Sequence, residues 1–221
     1  MKLSFVLAES ALELVPREIW KAPAVVSDSR RRGIEPSGIL LDRSFHHSTM
    51  AKLKDSEKRG RPDLVHVAML SVTGTPLYLE GKVKLWVHTC QDMVLEVEEK
   101  TRIPKSYFRF RGLVEKALAE GSGGELIRIH RMGISELLKR TSSSEVYALS
   151  VQGKPYAPEE LGRDIASGAR PAVMVGGFPH GHFTDGTVSE ADELVTINPK
   201  PLEAHVVAAR LLYDVERASG D

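Results

Sequence analysis

Apolar positions along the chain alternate between short runs or period two and a spacing near 3.6, the two patterns that separate strands from helices. Leu3, Phe5, Val6, Leu7 and Ala8 form the continuous run expected of a strand buried on both faces. Leu12, Val15 and Ile19 follow at helical spacing, as far as Pro16 allows. Ser27 to Pro36 is polar and carries Arg30, Arg31, Arg32 and Gly33; it reads as a mobile loop or basic edge. Gly38 to Asp42 reads as a second buried strand ending in a carboxylate, and Ala51 to Arg61 is charged and polar. Asp63 to Val72 has helical spacing after Pro62, a good first-turn residue, which places Arg61 just before the helix.

Val83, Leu85 and Val87 alternate with polar neighbours; Gln91 and Asp92 then separate them from Val94, Leu95 and Val97, the pattern of a hairpin ending in Glu98 and Glu99. A helix is predicted from Tyr107 to Ala119, stopped by the flexible turn Gly121 to Gly124, the best candidate for an internal boundary. The second part alternates: strand at Leu126 to Ile129, helix Ser135 to Lys139, strand Val146 to Val151, helix Pro158 to Ser167, strands Ala172 to Val175 and Leu194 to Ile197, helix Leu202 to Arg217. This order predicts an α/β fold with a mainly parallel sheet and a β-hairpin extension. No internal repeat or low-complexity tract interrupts it.

At 221 residues the chain is long enough to bury a sizeable core without disulfide staples. Cys90 is its one cysteine, so neither an intrachain disulfide nor a multi-cysteine metal cluster can form, and a reducing, cytoplasmic setting is expected. No apolar run approaches the ~20 residues of a membrane helix, and Glu9 and Glu13 interrupt the apolar start in a way a signal-peptide core would not tolerate. The formal net charge is +0, but residues 1–111 hold 19 basic against 14 acidic residues and 112–221 hold 11 against 16, so the halves carry +5 and −5. A basic face for a polyanion would produce this asymmetry, and so would plain surface drift.

The sharpest local feature is Val173 to Phe183, a buried strand running into a loop with Gly176, Gly177 and Gly181. Such a loop admits a ligand close to the backbone, or simply makes a tight turn. It lacks the Lys-Ser/Thr ending of a P-loop and the spacing of a dinucleotide fingerprint, so ATP and NAD are not indicated. Thr196 to Leu202 joins the last strand to the last helix and is the second such loop; loops at the ends of adjacent parallel strands are where open α/β sheets bind ligands. His180 with His182, and His46 with His47, lack the carboxylate partners of a metal site, so no metal is expected. Cys90 reads as a small core residue. Lys100 to Arg111 packs five basic and three aromatic residues together, a combination that can hold a nucleic-acid backbone and stack unpaired bases. Here Arg102, Lys105 and Arg109 read as phosphate contacts, whereas the aromatics read as core-facing.

Five strings occur in order: Leu41 to His47, Arg61 to His66, Thr101 to Lys105, Phe108 to Leu113 and Val175 to Gly181. Together they closely resemble the ribosome-biogenesis pseudouridine N1-methyltransferases of the SPOUT superfamily, the nucleolar essential protein or Emg family, in its archaeal form. The match spans nearly the whole chain. It departs where Lys105 replaces a common arginine and where His182 replaces a common acidic residue.

The resemblance implies a single SPOUT domain over 1–221, with a carboxy-terminal trefoil knot, RNA contacts mostly within 43–111 and the cofactor-binding knot in about 145–221. It also implies a homodimer that takes the methyl group of S-adenosylmethionine and places it on ring nitrogen 1 of a pseudouridine in small-subunit ribosomal RNA. Carried over by residue, the cofactor would lie against Leu149, Gly176, Gly177, Gly181, Ile197, Asn198, Pro199, Lys200, Pro201 and Leu202. The RNA would meet Arg61, Arg102, Lys105 and Arg109. Asp63 would orient Arg61, and as the carboxylate nearest the RNA set it is also a candidate general base. The competing readings are an RNA-binding small-subunit assembly factor with secondary or vestigial methyl transfer, and a transfer-RNA methyltransferase of the same superfamily. No membrane and no metal are implied. The role of Arg30 to Arg32 stays open between RNA contact and a solvated loop.

Overall fold

In the computed structural model, which describes residues 2–121 and 124–220, one seven-stranded sheet runs in the order β4-β3-β2-β1-β6-β5-β7. Its strands are β1 (Leu3–Ser10), β2 (Val83–Thr89), β3 (Met93–Val97), β4 (Ile127–Arg131), β5 (Glu145–Pro155), β6 (Pro171–Gly176) and β7 (Glu193–Thr196). The pairs β1–β2, β1–β6, β5–β6 and β5–β7 are parallel; β2–β3 and β3–β4 are antiparallel. The predicted hairpin is therefore the antiparallel end of the sheet, joined to it through β2. The turn expected to bound the two halves falls partly on residues 122–123, outside the described residues, and the sheet continues past it from β3 to β4.

The helices are α1 (Pro23–Arg32), α2 (Arg43–Met50), α3 (Pro62–Thr73), α4 (Pro76–Leu79), α5 (Tyr107–Glu120), α6 (Ile134–Thr141), α7 (Pro158–Ser167), α8 (Asp185–Val188) and α9 (Ala204–Ala218). Every residue of β1 is buried. Leu3, Phe5 and Leu7 face one core with Val65 and Met69 of α3, Phe110 and Val114 of α5 and Leu211 and Leu212 of α9, while Val6 and Ala8 face another with Leu137 of α6 and Phe183. The result is an α/β/α sandwich in which the period-two alternation of one strand assigns its side chains to two layers.

Three expectations change. Ser27 to Pro36 is mostly helix: α1 ends at Gly33, which takes φ 64° and donates its N–H to Ser29. Its inward face carries Asp28 and Arg32 with Val25 as its one buried apolar residue, rather than a leucine stripe, so apolar periodicity does not reveal it. Arg32 is not a loop residue but makes a two-pronged ion pair with Glu115 of α5 at 2.7 and 2.5 Å, and Arg31 bonds Asp28. Second, Leu12 to Ile19 forms no α-helix. Its Val15 N–H goes to Ile39 and the Ala11 N–H just before it to Gly177, and only Arg17–Ile19 makes a 3₁₀ turn. Third, Gly38 to Asp42 makes only an isolated bridge through Leu40 to Leu14; it ends by capping α2, Asp42 accepting from the Ser44 N–H at 2.8 Å. Ile39 and Leu41 are buried in a small third core with Val15, Ile19 and Val25.

Helices α7 and α9 touch through Gly162, where an added Cβ would lie 2.8 Å from the Asp214 carbonyl carbon. Gly162→Ala is expected to lower stability by about 1–3 kcal/mol of overpacking, set against roughly 1 kcal/mol of gained helix propensity. The midpoint of a denaturant melt checks it, and an unchanged or higher midpoint would show that α7 can move away from α9.

Candidate functional site

The parallel strands β1, β6 and β5 end on the same side of the sheet, and the chain leaves β6 through the glycine loop. Gly177 lies directly on β1: its N–H donates to Ala8 and its carbonyl accepts from Ala11, both at 2.8 Å, and an added Cβ would stand 2.2 Å from Ser10 Oγ. No larger residue fits there. Gly176 is covered by the ring of Phe178, which meets Phe183 edge-on at 5.6 Å, and Gly181 takes φ 91°.

A buried carboxylate fixes the far end of this loop. Glu9 turns the end of β1 with φ 50° and is 6% exposed. Its Oε1 accepts from the Thr184 N–H and hydroxyl, both at 2.8 Å, and its Oε2 pairs with Lys58 Nζ at 3.0 Å. Lys58 also donates to the His182 carbonyl and lies 4.5 Å over the Phe178 ring. Burial alone would raise the Glu9 pKa, but the Thr184 N–H, the Thr187 and Thr184 hydroxyls and Lys58 together bring it below the usual 4.5.

Behind this clamp opens a cavity of about 440 Å³. Leu149, Gly176, Gly181, Pro201 and Leu202 line it, joined by Phe178, His180, His182 and Glu203, and Arg61 stands at its wall. A smaller recess of about 70 Å³ shares Leu149 and Leu202 and adds Ile197, Asn198 and Lys200. The 196–202 loop is shaped from within: Thr196 Oγ1 donates to the Asn198 carbonyl and the Asn198 amide donates to the Lys200 carbonyl, each at 2.7 Å. Gly177 and Pro199 line neither space. Gly177 forms the joint behind the wall instead.

Arg61 is the residue before α3, held by two bonds to Asp63 at 2.8 and 2.9 Å. Asp63 raises the Arg61 pKa against burial, and Glu203 adds to the effect. Burial would raise the Asp63 pKa, but Arg61 and nearby backbone N–H groups bring it below its usual value. Asp63 does not line the cavity, and among the described residues Glu203 is the only carboxylate that does. Among the described residues nothing bonds the Glu203 side chain. The sequence reading missed Glu203, Glu9 and Lys58; Glu9 stands at the end of β1 and Glu203 just before α9, which is their one sequence signal, while Lys58, in a 3₁₀ turn within the charged 51–61 stretch, has none.

The basic segment is anchored by alternate residues. Thr101 and Ile103 are buried; the Tyr78 hydroxyl bonds the Thr101 carbonyl at 3.3 Å, and His66 Nε2–H donates to the Pro104 carbonyl at 2.7 Å. Arg102 and Lys105 point outward between these anchors, and Arg109 is exposed on α5; none of the three has an ion-pair partner among the described residues. Phe110 is buried against His66, with ring centroids 4.3 Å apart, as expected of a core aromatic, but Phe108 is not: it is 69% exposed. Tyr107 bonds Asp42, and burial, Asp42 and more distant Asp63 all raise its phenol.

The sequence matches the EMG1/NEP1 methyltransferase description over residues 5–216. The chain belongs to that family. Similar to it are proteins named ribosomal RNA small subunit methyltransferase Nep1 from Staphylothermus marinus, 40% identical over 219 residues covering 97% of this chain and 95% of the relative, and from Pyrobaculum arsenaticum, 43% identical over 220 residues covering 97% and 98%. The crystal structure of Archaeoglobus fulgidus Nep1 bound to S-adenosylhomocysteine is 33% identical and superposes with a TM-score of 0.89 over 100% of both chains. The family fold thus agrees with the α/β sheet order found here. Cys90 does not enter the core as expected; it is exposed at the β2–β3 turn, 3.9 Å from Glu13, because β2 ends at Thr89, one residue before it. Among the described residues no three His, Cys, Asp or Glu side chains converge as metal ligands, and His46 is buried beneath Asp28.

Because the folded pKa of Glu9 lies below the unfolded one, its contribution is fully present above about pH 4.5 and is lost as pH falls through the lower folded value. Glu9→Gln is expected to cost about 1–3 kcal/mol at neutral pH. Melting curves of the two proteins should converge in acid; a constant difference down to pH 2 would remove the carboxylate charge as its cause.

Proposed function

We propose that this chain transfers a methyl group from S-adenosylmethionine to ring nitrogen 1 of a pseudouridine in small-subunit ribosomal RNA. The observation that carries the reading is a small-molecule cavity at the strand ends whose wall includes Arg61, held by Asp63 at the start of α3, the helix whose His66 also anchors the segment that carries the exposed Arg102, Lys105 and Arg109. The cavity volume lies in the range of cofactor sites. Leu149, Val175, Phe178, Leu202 and Val207 offer apolar walls to a purine, and the two loops offer backbone groups to its polar edge and to a ribose. Trefoil knotting of the 145–221 segment, a single working domain, a homodimer and a cytoplasmic setting belong to the same reading. They are supported by the family resemblance and, for the last, by the lone cysteine. Among the described residues no helix is long and apolar enough to cross a membrane.

S-adenosylmethionine, when bound, supplies a methyl group already activated on a sulfonium, so the chain needs mainly to bind, aim and exclude water. Arg61, Arg102, Lys105 and Arg109 hold phosphates and bring the target base to the cavity mouth. Asp63 is a positioning residue: both its oxygens are committed to Arg61, which fixes the guanidinium plane toward the RNA. That assignment leaves the N1 proton to Glu203, whose free carboxylate lies on the cavity wall, and the reaction then releases S-adenosylhomocysteine and a proton.

Two synthetic hairpins, identical except for pseudouridine or uridine at the loop target, test the reading by transfer of radiolabelled methyl. Label only in the pseudouridine hairpin supports it; tight binding of both with label in neither supports the assembly-factor reading. Asp63→Asn is expected to weaken hairpin binding, and unchanged binding with lost turnover would make Asp63 the base. Glu203→Gln should lower kcat by about 10²–10⁴ with hairpin binding retained. A full-rate variant would exclude Glu203 as proton acceptor.

A further inference from the structure

Phe108 stands out among the exposed apolar side chains because of what lies around it. At 69% exposure it is the most exposed of the large apolar residues described. One side of its ring is covered by the Arg111 guanidinium at 5.3 Å, and Arg111 also lies 5.6 Å from the Phe45 ring, on which Arg31 rests at 4.9 Å. Arg111 is 9% exposed, forms no ion pair among the described residues, and has its buried Nε without a hydrogen-bond partner. The rings are thus the main counterpart of its charge. That arrangement fixes Phe108 from beneath and leaves the rest of the ring in solvent.

Position says what meets the ring. Phe108 lies in the first turn of α5, three residues after the exposed Lys105 and next to Arg109, and its ring is 6.2 Å from that of Tyr107. Tyr107 in turn feels Asp63, the partner of Arg61 at the cavity wall. The cations to either side, unpaired among the described residues, select a polyanion, and a flat aromatic held between them selects a planar, uncharged group carried on that polyanion. A second protein copy would bring apolar side chains or carboxylates to this patch, where Phe108 is the one strongly exposed ring, Phe45 and Tyr107 are half-buried, and Lys105 and Arg109 are exposed close to it in the chain.

We propose that Phe108, held by Arg111, is a stacking platform for an unpaired base of the substrate RNA next to the nucleotide that enters the cavity. The proposal rests on the RNA-methylating reading and adds to it a base contact where the reading has only phosphate contacts. Stacking on one exposed ring tolerates any base, so it fixes the path of the loop strand rather than its sequence.

Binding of the pseudouridine hairpin as a function of salt tests it. Phe108→Ala is expected to weaken binding about tenfold with the salt slope unchanged, because no phosphate contact is lost. Arg109→Ala should instead reduce the slope by roughly 0.7–0.9, one phosphate's worth. Phe108→Trp should restore affinity, whereas Phe108→Leu, which keeps apolar area without a π face, should not. Light scattering of the same variants reads the oligomeric state. Wild-type affinity in Phe108→Ala, or full rescue by leucine, would overturn the platform; a change of oligomeric state would make a second copy the occupant. If the wild-type protein neither binds nor methylates the hairpin, the underlying reading fails, and that result is distinct from a Phe108 variant that alone keeps full affinity.

Discussion

Glu9 ends the central strand in a left-handed turn, and that backbone strain is held in place because one carboxylate bonds two other segments, Lys58 before α3 and Thr184 after the glycine loop. A non-glycine residue with positive φ costs about 1–3 kcal/mol, so the position is retained only where its surroundings over-determine it. Here they do. The carboxylate is buried and fully used, Gly177 is pressed against Ser10, and the loop between these two ties is the wall of the cavity. Loosening the turn would free the loop that walls the cavity.

How much of this was legible in the sequence depended on which force placed each residue. Strands β1, β5, β6 and β7 and helices α3, α5, α7 and α9 are driven by apolar burial, and the periodicity located all of them within a few residues. Helix α1 was missed because Asp28 and Arg32 carry its inward face, and a buried ion pair has no hydrophobic period. The Leu12 to Ile19 segment differs for the opposite reason: its spacing is helical, but the Val15 amide and that of Ala11 just before the segment find partners on Ile39 and Gly177, far away in sequence. Within the site, glycines and arginines announce themselves as residue types. Glu203 and Glu9 do not, since a lone glutamate acquires meaning only from the strand end or helix start that carries it.

The basic excess of the first half is only partly available to a polyanion. Arg32 is committed to Glu115, Arg59 to Glu13 and Lys58 to Glu9, all as largely buried pairs, the first joining α1 to α5 and the other two tying the 58–59 segment to the end of β1 and the chain just after it. Removing one member of such a pair leaves an uncompensated charge, so these cations serve the scaffold. Arg102, Lys105 and Arg109 remain outward on a segment whose intervening residues are anchored by Tyr78 and His66. Net charge per half therefore overstates the cationic face, and the division between structural and outward cations is set by which carboxylates the fold brings near.

The register of β1 bears on how the chain reaches this state. Ser4 pairs with Lys84 on one side and with Ala172 on the other, so the first strand made is also the one whose second partner emerges last but one. During synthesis its apolar edge stays open until β6 has left the ribosome, and parallel pairings that distant form slowly because the intervening loop must close first. The strand that anchors the cavity wall is thus an adhesive edge through most of translation, and a cell that makes this protein has to keep that edge from finding another chain.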